Sequence, residues 1–465
     1  MTAPPSIPDF QGSESAARIE ALMEMTIQLL ELEDLELLGR VLNQEHPADL
    51  ADLARRLDDN DLEVVFGLLQ EHLAADVLAE TDIPTTLAIA DDLDPQELSD
   101  LVEEMDPDDA ADVLSELEEE EAEEILGLME DEDAEEVQEL MAHEEDTGGG
   151  IMTPDLVMAH VDSTVSDVIE ALRKEAEDSD ILDLYFVNGQ NQLQGIVPVH
   201  RMVTARPQMR MSELMNREII SVSPETDQED IAQVFTRYNL LAVPVVDANG
   251  ELVGQITVDD VIDVIQEEAT EDIYKMAGTS DEEMERTSVF GVYRTRLPWL
   301  LIALFGSLLS GVVIDMFDAT LKQTIALAAF IPIIMAMGGS SGLQSCTVTV
   351  RGLVTGHVIP GLIMRTVLRE IGTAAAIGLT CGVAAGVIAW FWFDEPTLGV
   401  CVGTSMFLVI SIAVLLGVLA PLIFDRIGID PAVASGPFIT TTNDIIGLTI
   451  YLGLATYMVQ RFMSG

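Results

Sequence analysis

The sequence predicts a mainly α-helical protein with an α+β module: an acidic helical superhelix, two similar α+β domains, a connecting helix and a five-span transmembrane α bundle. Three observations support this fold class. Charge is unevenly distributed, because residues 1–289 hold 75 of the 83 acidic residues and 13 of the 21 Lys and Arg residues, and so the whole net charge of −62. A 12-residue repeat runs through part of the acidic region. Apolar stretches of bilayer-spanning length follow Pro298.

The acidic part favours cations as partners and repels nucleic acid and anionic lipid headgroups. Such a surface also keeps a protein soluble in a salty cytoplasm, so only specific carboxylate clusters can argue for a sensor. The three cysteines lie in apolar stretches without a CxxC pair, which argues against disulfides and zinc. The N-terminus lacks a basic stretch followed by an apolar run, so we expect no signal peptide and a cytoplasmic acidic part.

The repeat occupies the stretch from Asp94 to Met141. Its units are marked by apolar residues 12 positions apart: Leu93, Met105, Leu117, Met129 and Met141. Units that open with Asp-Pro place Asp at a helix N-cap and Pro at the first helical position. Short helices of this kind bury their apolar stripes by stacking into a superhelix. We therefore predict a flexible N-terminus over residues 1–20 and an acidic helical-repeat domain over residues 21–146.

Strand-like apolar runs follow the break at residues 147–150. Two similar halves each contain such runs, for example at 183–187 and 242–246. The pattern resembles a pair of CBS domains, the first over residues 147–210 and the second over residues 211–265. The second copy is the better match.

A segment without Gly or Pro until Gly278 joins the second copy to the apolar part, and it predicts an acidic connecting helix over residues 266–290. The transmembrane domain then covers residues 291–465, with spans at roughly 298–318, 325–350, 367–393, 399–423 and 436–460. An N-terminal part inside the cell leaves six arginines on cytoplasmic flanks against two basic residues outside. This asymmetry supports a multi-pass protein of the cell membrane, embedded in the lipid bilayer, with cytoplasmic N-terminal domains.

The last span contains Asp444, and an ionised carboxylate at membrane depth is costly unless it faces water or an ion. Thr440, Asp444, Gly447 and Tyr451 share one face of a helix, and Gly436 begins a Gly-Pro step that frees backbone carbonyls. The alternative is an Asp that caps a broken helix or hydrogen-bonds a neighbouring span.

One carboxylate is too little for a divalent ion, but two related by a dimer axis would balance its charge, which predicts a homodimer. Mg²⁺ sheds water reluctantly, so such a pore would hold it with its first water shell intact.

The second span contains a glycine- and serine-rich run at 338–345, which permits close helix packing as often as it marks function.

The order of acidic repeats, CBS pair, acidic connector and five spans resembles the MgtE family of magnesium channels over nearly the whole chain. Local sequence agrees at 145–149, 257–261, 268–273 and 430–432. The resemblance implies that Asp444 binds the pore ion, with Thr440, Gly436 and Asn443 lining the site. It also implies that the connector is a plug helix.

By the same resemblance, acidic residues of the second CBS copy and the connector bind regulatory Mg²⁺; they are Asp260, Asp263, Glu268, Glu271 and Asp272. The candidates for their N-domain partners are Asp106, Asp108 and Asp109. At high Mg²⁺, bound ions would bridge these carboxylates and hold the pore shut; at low Mg²⁺ the carboxylates would repel one another.

The sequence departs from the family pattern at two places. Ser340 stands where the second span usually has Asn. The first CBS copy lacks the Thr and Asp that the second has as Thr257 and Asp260, so we expect a nucleotide such as ATP, if one binds, at the second copy.

Two other classes of protein combine CBS domains with membrane spans. The first is an ion-coupled transporter of Co²⁺, Mn²⁺ or Mg²⁺ whose CBS domains sense nucleotide. The second is an enzyme: CBS pairs also accompany membrane metalloproteases, but no HExxH occurs in this sequence. We therefore expect a transport protein rather than an enzyme, with no nucleic-acid partner.

Overall fold

The computed structural model describes residues 12–175, 181–280, 289–355, 363–434 and 436–463. These residues form two compact units, of which the first ends at Val264 and the second begins at Ile265. The predicted fold class is confirmed: short helices come first, then two α+β copies, and then five helices long and apolar enough to cross a membrane.

From Gly12 onward, where the structure describes the chain, ten helices precede the first strand. They are α1 (Gly12–Glu31), α2 (Leu35–Leu42), α3 (Pro47–Ala54), α4 (Asp59–Phe66), α5 (Glu71–Ala79), α6 (Ile83–Asp92), α7 (Pro95–Glu103), α8 (Pro107–Ser115), α9 (Glu119–Leu126) and α10 (Asp131–Leu140). From α2 onward each helix begins 12 residues after the previous one. The repeat therefore extends back to Leu35, well before the stretch where the sequence shows it clearly. Most helices pack against the second next in the chain, as in a superhelix.

The N-cap prediction holds at the two Asp-Pro sites. Asp94 closes a capping box with Glu97. Asp106 also stands at an N-cap, but its side chain makes no capping hydrogen bond. The predicted flexible segment 1–20 is helical from Gly12 onward, and Ile19 is buried. Residues 1–11 lie outside the described residues.

Two α+β copies follow. The first contains β1 (Met158–His160), α11 (Val165–Glu175), β2 (Asp183–Val187), β3 (Leu193–Pro198) and α12 (Val199–Thr204); the second contains α13 (Met211–Leu214), α14 (Gln228–Tyr238), β4 (Ala242–Val246), β5 (Leu252–Thr257) and the start of α15 (Val258–Ala277). Strand β2 pairs with β1 in parallel and with β3 antiparallel, and β4 pairs with β5 antiparallel. The two copies also join at their hairpin tips, where the Leu193 N–H donates to the Gly250 carbonyl at 3.1 Å.

The segment that links the helical repeats to the first copy is bonded to the second copy. The Gly148 N–H donates to the Thr226 carbonyl at 2.7 Å, and the Gln228 N–H donates to the Asp146 carbonyl at 3.0 Å. A Cβ on Gly148 would lie 2.8 Å from the Ser223 carbonyl, so the close approach requires glycine. The repeats are thus tied to the copy whose last strand leads into α15.

The second unit contains the end of α15 and the membrane helices. They are α16 (Val289–Met316), a short α17 (Asp318–Gln323), a 3-10 turn (Ile325–Phe330), α18 (Ile331–Val354), α19 (Ile363–Phe393), α20 (Pro396–Arg426) and α21 (Gly436–Met458). The first span begins nine residues earlier than predicted, with Pro298 inside the helix. The predicted connector 266–290 overlaps α15 up to Ala277, Val289 already belongs to α16, and residues 281–288 lie outside the described part of the chain.

Helices α19 and α20 form a hairpin whose backbones touch. A Cβ on Gly382 would lie 2.6 Å from the Gly403 carbonyl oxygen, and one on Gly386 would lie 2.7 Å from the Gly399 carbonyl oxygen. Glycines four residues apart on both helices make this approach possible. Further along α20, a Cβ on Gly417 would collide with the Gly342 carbonyl oxygen of α18.

Candidate functional site

Asp444 lies in the third turn of α21 and is half-buried. Within the described residues its carboxylate has no hydrogen bond or ion pair. The structure therefore does not show the alternative, in which Asp444 forms a hydrogen bond with a neighbouring span. A carboxylate left without a protein partner at this depth requires water or a cation.

The residues before Asp444 turn their polar groups onto their own helix. The Thr440 hydroxyl donates to the Gly436 and Pro437 carbonyls, both at 3.1 Å, and the Thr441 hydroxyl donates to the Pro437 carbonyl at 2.7 Å. The helix begins at Gly436, so it is not broken near the carboxylate. The Gly436 carbonyl accepts the Thr440 hydroxyl and also the helical N–H four residues on, so both of its lone pairs are used within the helix.

The predicted common face of α21 divides into two parts. Thr440 and Asp444 are half-buried, whereas Gly447 is packed against Val409 and Tyr451 is fully buried. The Tyr451 hydroxyl donates to the Leu327 carbonyl at 2.8 Å. The expected smooth groove along this face is therefore closed below Asp444 by packing within the bundle.

Asn443, expected to line the pore, is only 2% exposed. It packs against Gly338, where a Cβ would lie 2.5 Å from its Nδ2 and 2.8 Å from Val409 Cγ1. The Nδ2 group is buried without a hydrogen-bond partner among the described residues. Consecutive helical residues point about 100° apart, so the structure places Asn443 inside the bundle while Asp444 stays half-exposed.

Helix α21 packs against the glycine-rich run of α18. Gly338 contacts Asn443, and a Cβ on Gly342 would lie 3.0 Å from Ile439 Cγ2. The buried residues of this run therefore serve helix packing. The exposed residues of α18 are mixed: Ser340, Gln344 and Thr347 are polar, whereas Val348 is apolar.

Glu370 is a carboxylate of the predicted third span, 367–393, and sequence reasoning missed it. The Ser345 hydroxyl of α18 donates to its Oε2 at 3.2 Å, and its side chain is 13% exposed. Arg369 Nη2 lies 3.4 Å from its Oε1. An acid inside an apolar stretch was the available signal.

A carboxylate cluster lies in the first unit between the start of α8 and the start of α15. Burial, and then the charges of Asp260 and Asp109, raise the pKa of Asp108 to about 8. Burial, and then Asp106 and Asp260, raise the pKa of Asp109 to about 7. The Asp108 Oδ1 atom is buried without a hydrogen-bond partner among described residues. These acids repel one another, as the regulatory hypothesis requires.

The other members of the set lie around this cluster. Burial raises the pKa of Asp106, with Asp155, Asp76 and Asp259 adding to the effect. Burial and Asp259 raise the pKa of Asp263. Within the described residues no three His, Cys, Asp or Glu side chains are already arranged to hold a metal ion. The structure thus brings the predicted N-domain and CBS carboxylates together without a finished coordination site.

Thr257 and Asp260, the predicted nucleotide contacts, bind each other. The Thr257 hydroxyl donates to Asp260 Oδ2 at 2.6 Å, and this pair caps α15. The same arrangement occurs in the first copy, where the Thr164 hydroxyl donates to Asp167 Oδ2 at 2.7 Å. Helix capping accounts for both pairs.

On α15 beyond residue 264, Glu268 is half-buried. Glu271 and Lys275 form an ion pair, and Lys275 Nζ also lies 2.8 Å from Asp430 Oδ2. Burial, and then Asp430, raise the pKa of Asp272, against the opposing charges of Arg351 and Lys275. Lys275 and Asp430 were not identified from the sequence.

Comparisons with known proteins bear on all of these parts. The MgtE divalent cation transporter family matches residues 331–454, the MgtE intracellular N domain matches residues 45–146, and CBS domains match residues 148–207 and 211–267. The magnesium transporter MgtE of Bacillus subtilis is 38% identical over 68% of this chain and 70% of its own length. The chain belongs to the MgtE family of magnesium transporters.

Other MgtE proteins agree. The magnesium transporter MgtE of Thermus thermophilus is 34% identical over 68% of this chain and 71% of its own length. The crystal structure of the cytosolic domain of the Mg²⁺ channel MgtE in complex with ATP matches with a TM-score of 0.50 and 33% identity, over 52% of this chain and 99% of that one. MgtE relatives are named as transporters, and nothing among them indicates catalysis.

Proposed function

We propose that this chain forms a homodimeric channel that carries Mg²⁺ into the cell down its electrochemical gradient, and that cytosolic Mg²⁺ closes it. The observation that carries the proposal is the Asp444 carboxylate. It is half-buried on a membrane helix and has no protein partner among the described residues. A mobile cation is the partner that fits its position and charge.

A second copy of the chain accounts for two features. One carboxylate balances only half the charge of Mg²⁺, whereas two related by a dimer axis balance it fully. The exposed Ser340, Gln344 and Thr347 of α18 would also be costly against lipid. If these side chains faced a water-filled path between two copies, water would supply their hydrogen bonds. Because Mg²⁺ keeps its water shell, hydroxyl and carboxylate groups would contact its waters rather than the ion.

Regulation rests on the acids of α8 and α15. Without Mg²⁺, Asp108, Asp109 and Asp260 repel one another across the two elements. An ion bound between them favours the compact state, and only such differential binding shifts an equilibrium. Asp263, Glu268 and Asp272 are further acidic residues along α15. The plug role of α15 is part of this proposal.

Nucleotide binding is a secondary part of the proposal. A relative's cytosolic domain was crystallised in complex with ATP. In this chain Thr257 and Asp260 are the residues proposed to take the ribose and phosphates, and binding would have to compete with their mutual hydrogen bond.

The test is ion flux from purified protein in liposomes, with Mg²⁺, Co²⁺, Mn²⁺ and Ni²⁺ compared. We expect flux that follows the Mg²⁺ gradient and voltage alone, and its loss in Asp444→Ala. Normal uptake by Asp444→Ala would refute the pore role. Flux that requires a proton or sodium gradient would instead support the ion-coupled transporter.

A further inference from the structure

The end of α15 is bound to the beginning of α21 by a lysine. Lys275 Nζ contacts the Glu271 carboxylate one turn earlier on its own helix and lies 2.8 Å from Asp430 Oδ2. Burial lowers the pKa of Lys275, but the hydrogen bonds to Asp430 and Glu271 outweigh burial and raise it above the ordinary value. The side chain is therefore a permanent cation between two carboxylates.

Asp430 connects this cation to the pore helix. Its Oδ1 accepts the Ala432 N–H at 2.7 Å and so caps the 3-10 turn Pro431–Ala434 that precedes α21. One oxygen of the carboxylate thus holds the entrance of the last helix, and the other holds Lys275.

The two backbones meet at the same place. A Cβ on Gly436 would lie 2.6 Å from the Met276 carbonyl oxygen, and one on Gly278 would lie 3.1 Å from Pro437 Cγ. Gly278 also has φ +78°, which ends α15 and favours glycine. The close fit leaves no room for a larger residue at Gly436, one turn before Thr440.

The charges at this joint are largely balanced by the chain itself. Glu271, Asp272 and Asp430 supply three negative charges, and Lys275 and Arg351 face them. The family resemblance implies a regulatory metal ion at Glu271. An ammonium group already stands between Glu271 and Asp430, where such an ion would bridge α15 to α21.

We propose that Lys275 is a tethered cation that holds α15 on the entrance of the pore helix and takes the place of a bound metal ion at Glu271. This inference rests on the proposed function, since it assigns the contact through which the connecting helix acts on the pore. Mg²⁺ then regulates through the other acids, and this joint transmits their movement to the pore helix without binding an ion itself.

Three variants isolate the cation. Lys275→Met keeps most of the stem and removes the charge, Lys275→Arg keeps the charge, and Asp430→Asn removes the ion pair while its amide oxygen can still cap Ala432. Amide hydrogen exchange of residues 265–277 and 431–434 is measured on the full-length protein with a chelator present. We expect Lys275→Met and Asp430→Asn to exchange about tenfold faster than wild type, and Lys275→Arg to remain within about twofold.

Inhibition of flux by internal Mg²⁺ gives the functional readout. The half-inhibitory Mg²⁺ concentration should rise about three- to tenfold in Lys275→Met and in Asp430→Asn, and the double variant should add little, because both remove one interaction. Unchanged exchange in Lys275→Met, or closure at lower Mg²⁺ than wild type, would overturn the inference. If wild type is not inhibited by Mg²⁺ at all, the proposed function fails while the exchange rates still decide the role of Lys275.

Discussion

Two groups of carboxylates in this chain are placed in opposite ways. Asp444 stands alone on a membrane helix, half-buried and without a partner among the described residues. Asp108, Asp109 and Asp260 crowd together in the first unit, where the charge of Asp260 raises the pKa of both Asp108 and Asp109. A lone charge binds a passing ion without holding it permanently, whereas crowded charges store repulsion that an ion can release.

In the proposed function, the lone carboxylate serves ion conduction and the crowded carboxylates serve its control. A site that conducts must release its ion, so one carboxylate from each of two copies suits it better than a dense cluster. A site that controls must bind its ion much better in one conformation than in another. Four experiments, in order of decreasing expected effect, test this division between a lone carboxylate and crowded ones and the packing around them.

Dimers with one intact and one Asp444→Asn subunit test whether the lone carboxylate needs a twin. We expect flux below about a tenth of wild type, because a single carboxylate leaves half the charge of Mg²⁺ unbalanced in a medium of low dielectric. Liposome uptake by tagged mixed dimers is the measurement, with wild-type dimers carrying the same tags as control. Half-maximal flux would mean that each subunit conducts by itself.

The crowded group should make stability depend on pH. The folded state raises the pKa of Asp108 to about 8 and that of Asp109 to about 7, so it binds more protons than the unfolded state. Stability from this source is fully present below the unfolded pKa of about 4, falls progressively as pH rises above it, and is wholly lost once pH passes the folded pKa values of about 7 and 8. We expect a loss of about 2 kcal/mol between pH 6 and pH 8.5 with chelator present, measured by calorimetry on the full chain.

The control for this pH effect is the double variant Asp108→Asn with Asp109→Asn, whose stability should vary much less over the same range. Added Mg²⁺ should restore wild-type stability at pH 8.5. A wild-type profile that matches the double variant would show that the two acids are not coupled to folding.

The surroundings of Asp444 can be disturbed without touching a charge. Gly338→Ala would place a Cβ 2.5 Å from Asn443 Nδ2, so we expect a loss of about 1–2 kcal/mol in unfolding free energy from overpacking. Gly339→Ala is the matched control, because the nearest side-chain atom to its Cβ would be 3.9 Å away. Unfolding in mixed detergent micelles measures both. Equal stabilities would contradict the close contact between α18 and α21.

The smallest effect concerns Glu370. Glu370→Gln retains an acceptor for the Ser345 hydroxyl, so we expect it to cost less than about 1 kcal/mol, whereas Glu370→Ala leaves that hydroxyl without its acceptor. Flux at low internal Mg²⁺ should change less than about twofold in the Gln variant. A collapse of flux in Glu370→Gln would instead place a second required charge on the ion path.

The sequence predicts those parts of the fold that depend on periodicity. Helix starts 12 residues apart, strand-like runs in two copies and five apolar spans were all readable because each leaves a regular pattern. The earlier repeats from Leu35 were harder to see, since only some units carry the Asp-Pro start and His46 or Gln70 takes the N-cap elsewhere.

The site was only partly predictable. Asp444 is visible from the sequence because an acid in an apolar span is conspicuous, but its neighbour Asn443 belongs to the packing of α18, which depends on helix rotation. Lys275 and Asp430 lie 155 positions apart in the sequence. Their pairing follows from tertiary structure alone, and no local pattern in the chain records it.

The hairpin of α19 and α20 has a consequence for variation within this architecture. Where Gly382 and Gly386 meet Gly403 and Gly399, main chain packs on main chain, so a side chain added at any of these four positions would collide with the facing backbone. These four positions therefore have to remain glycine. Substitutions on the outward-facing sides of the two helices leave the contact between their backbones intact.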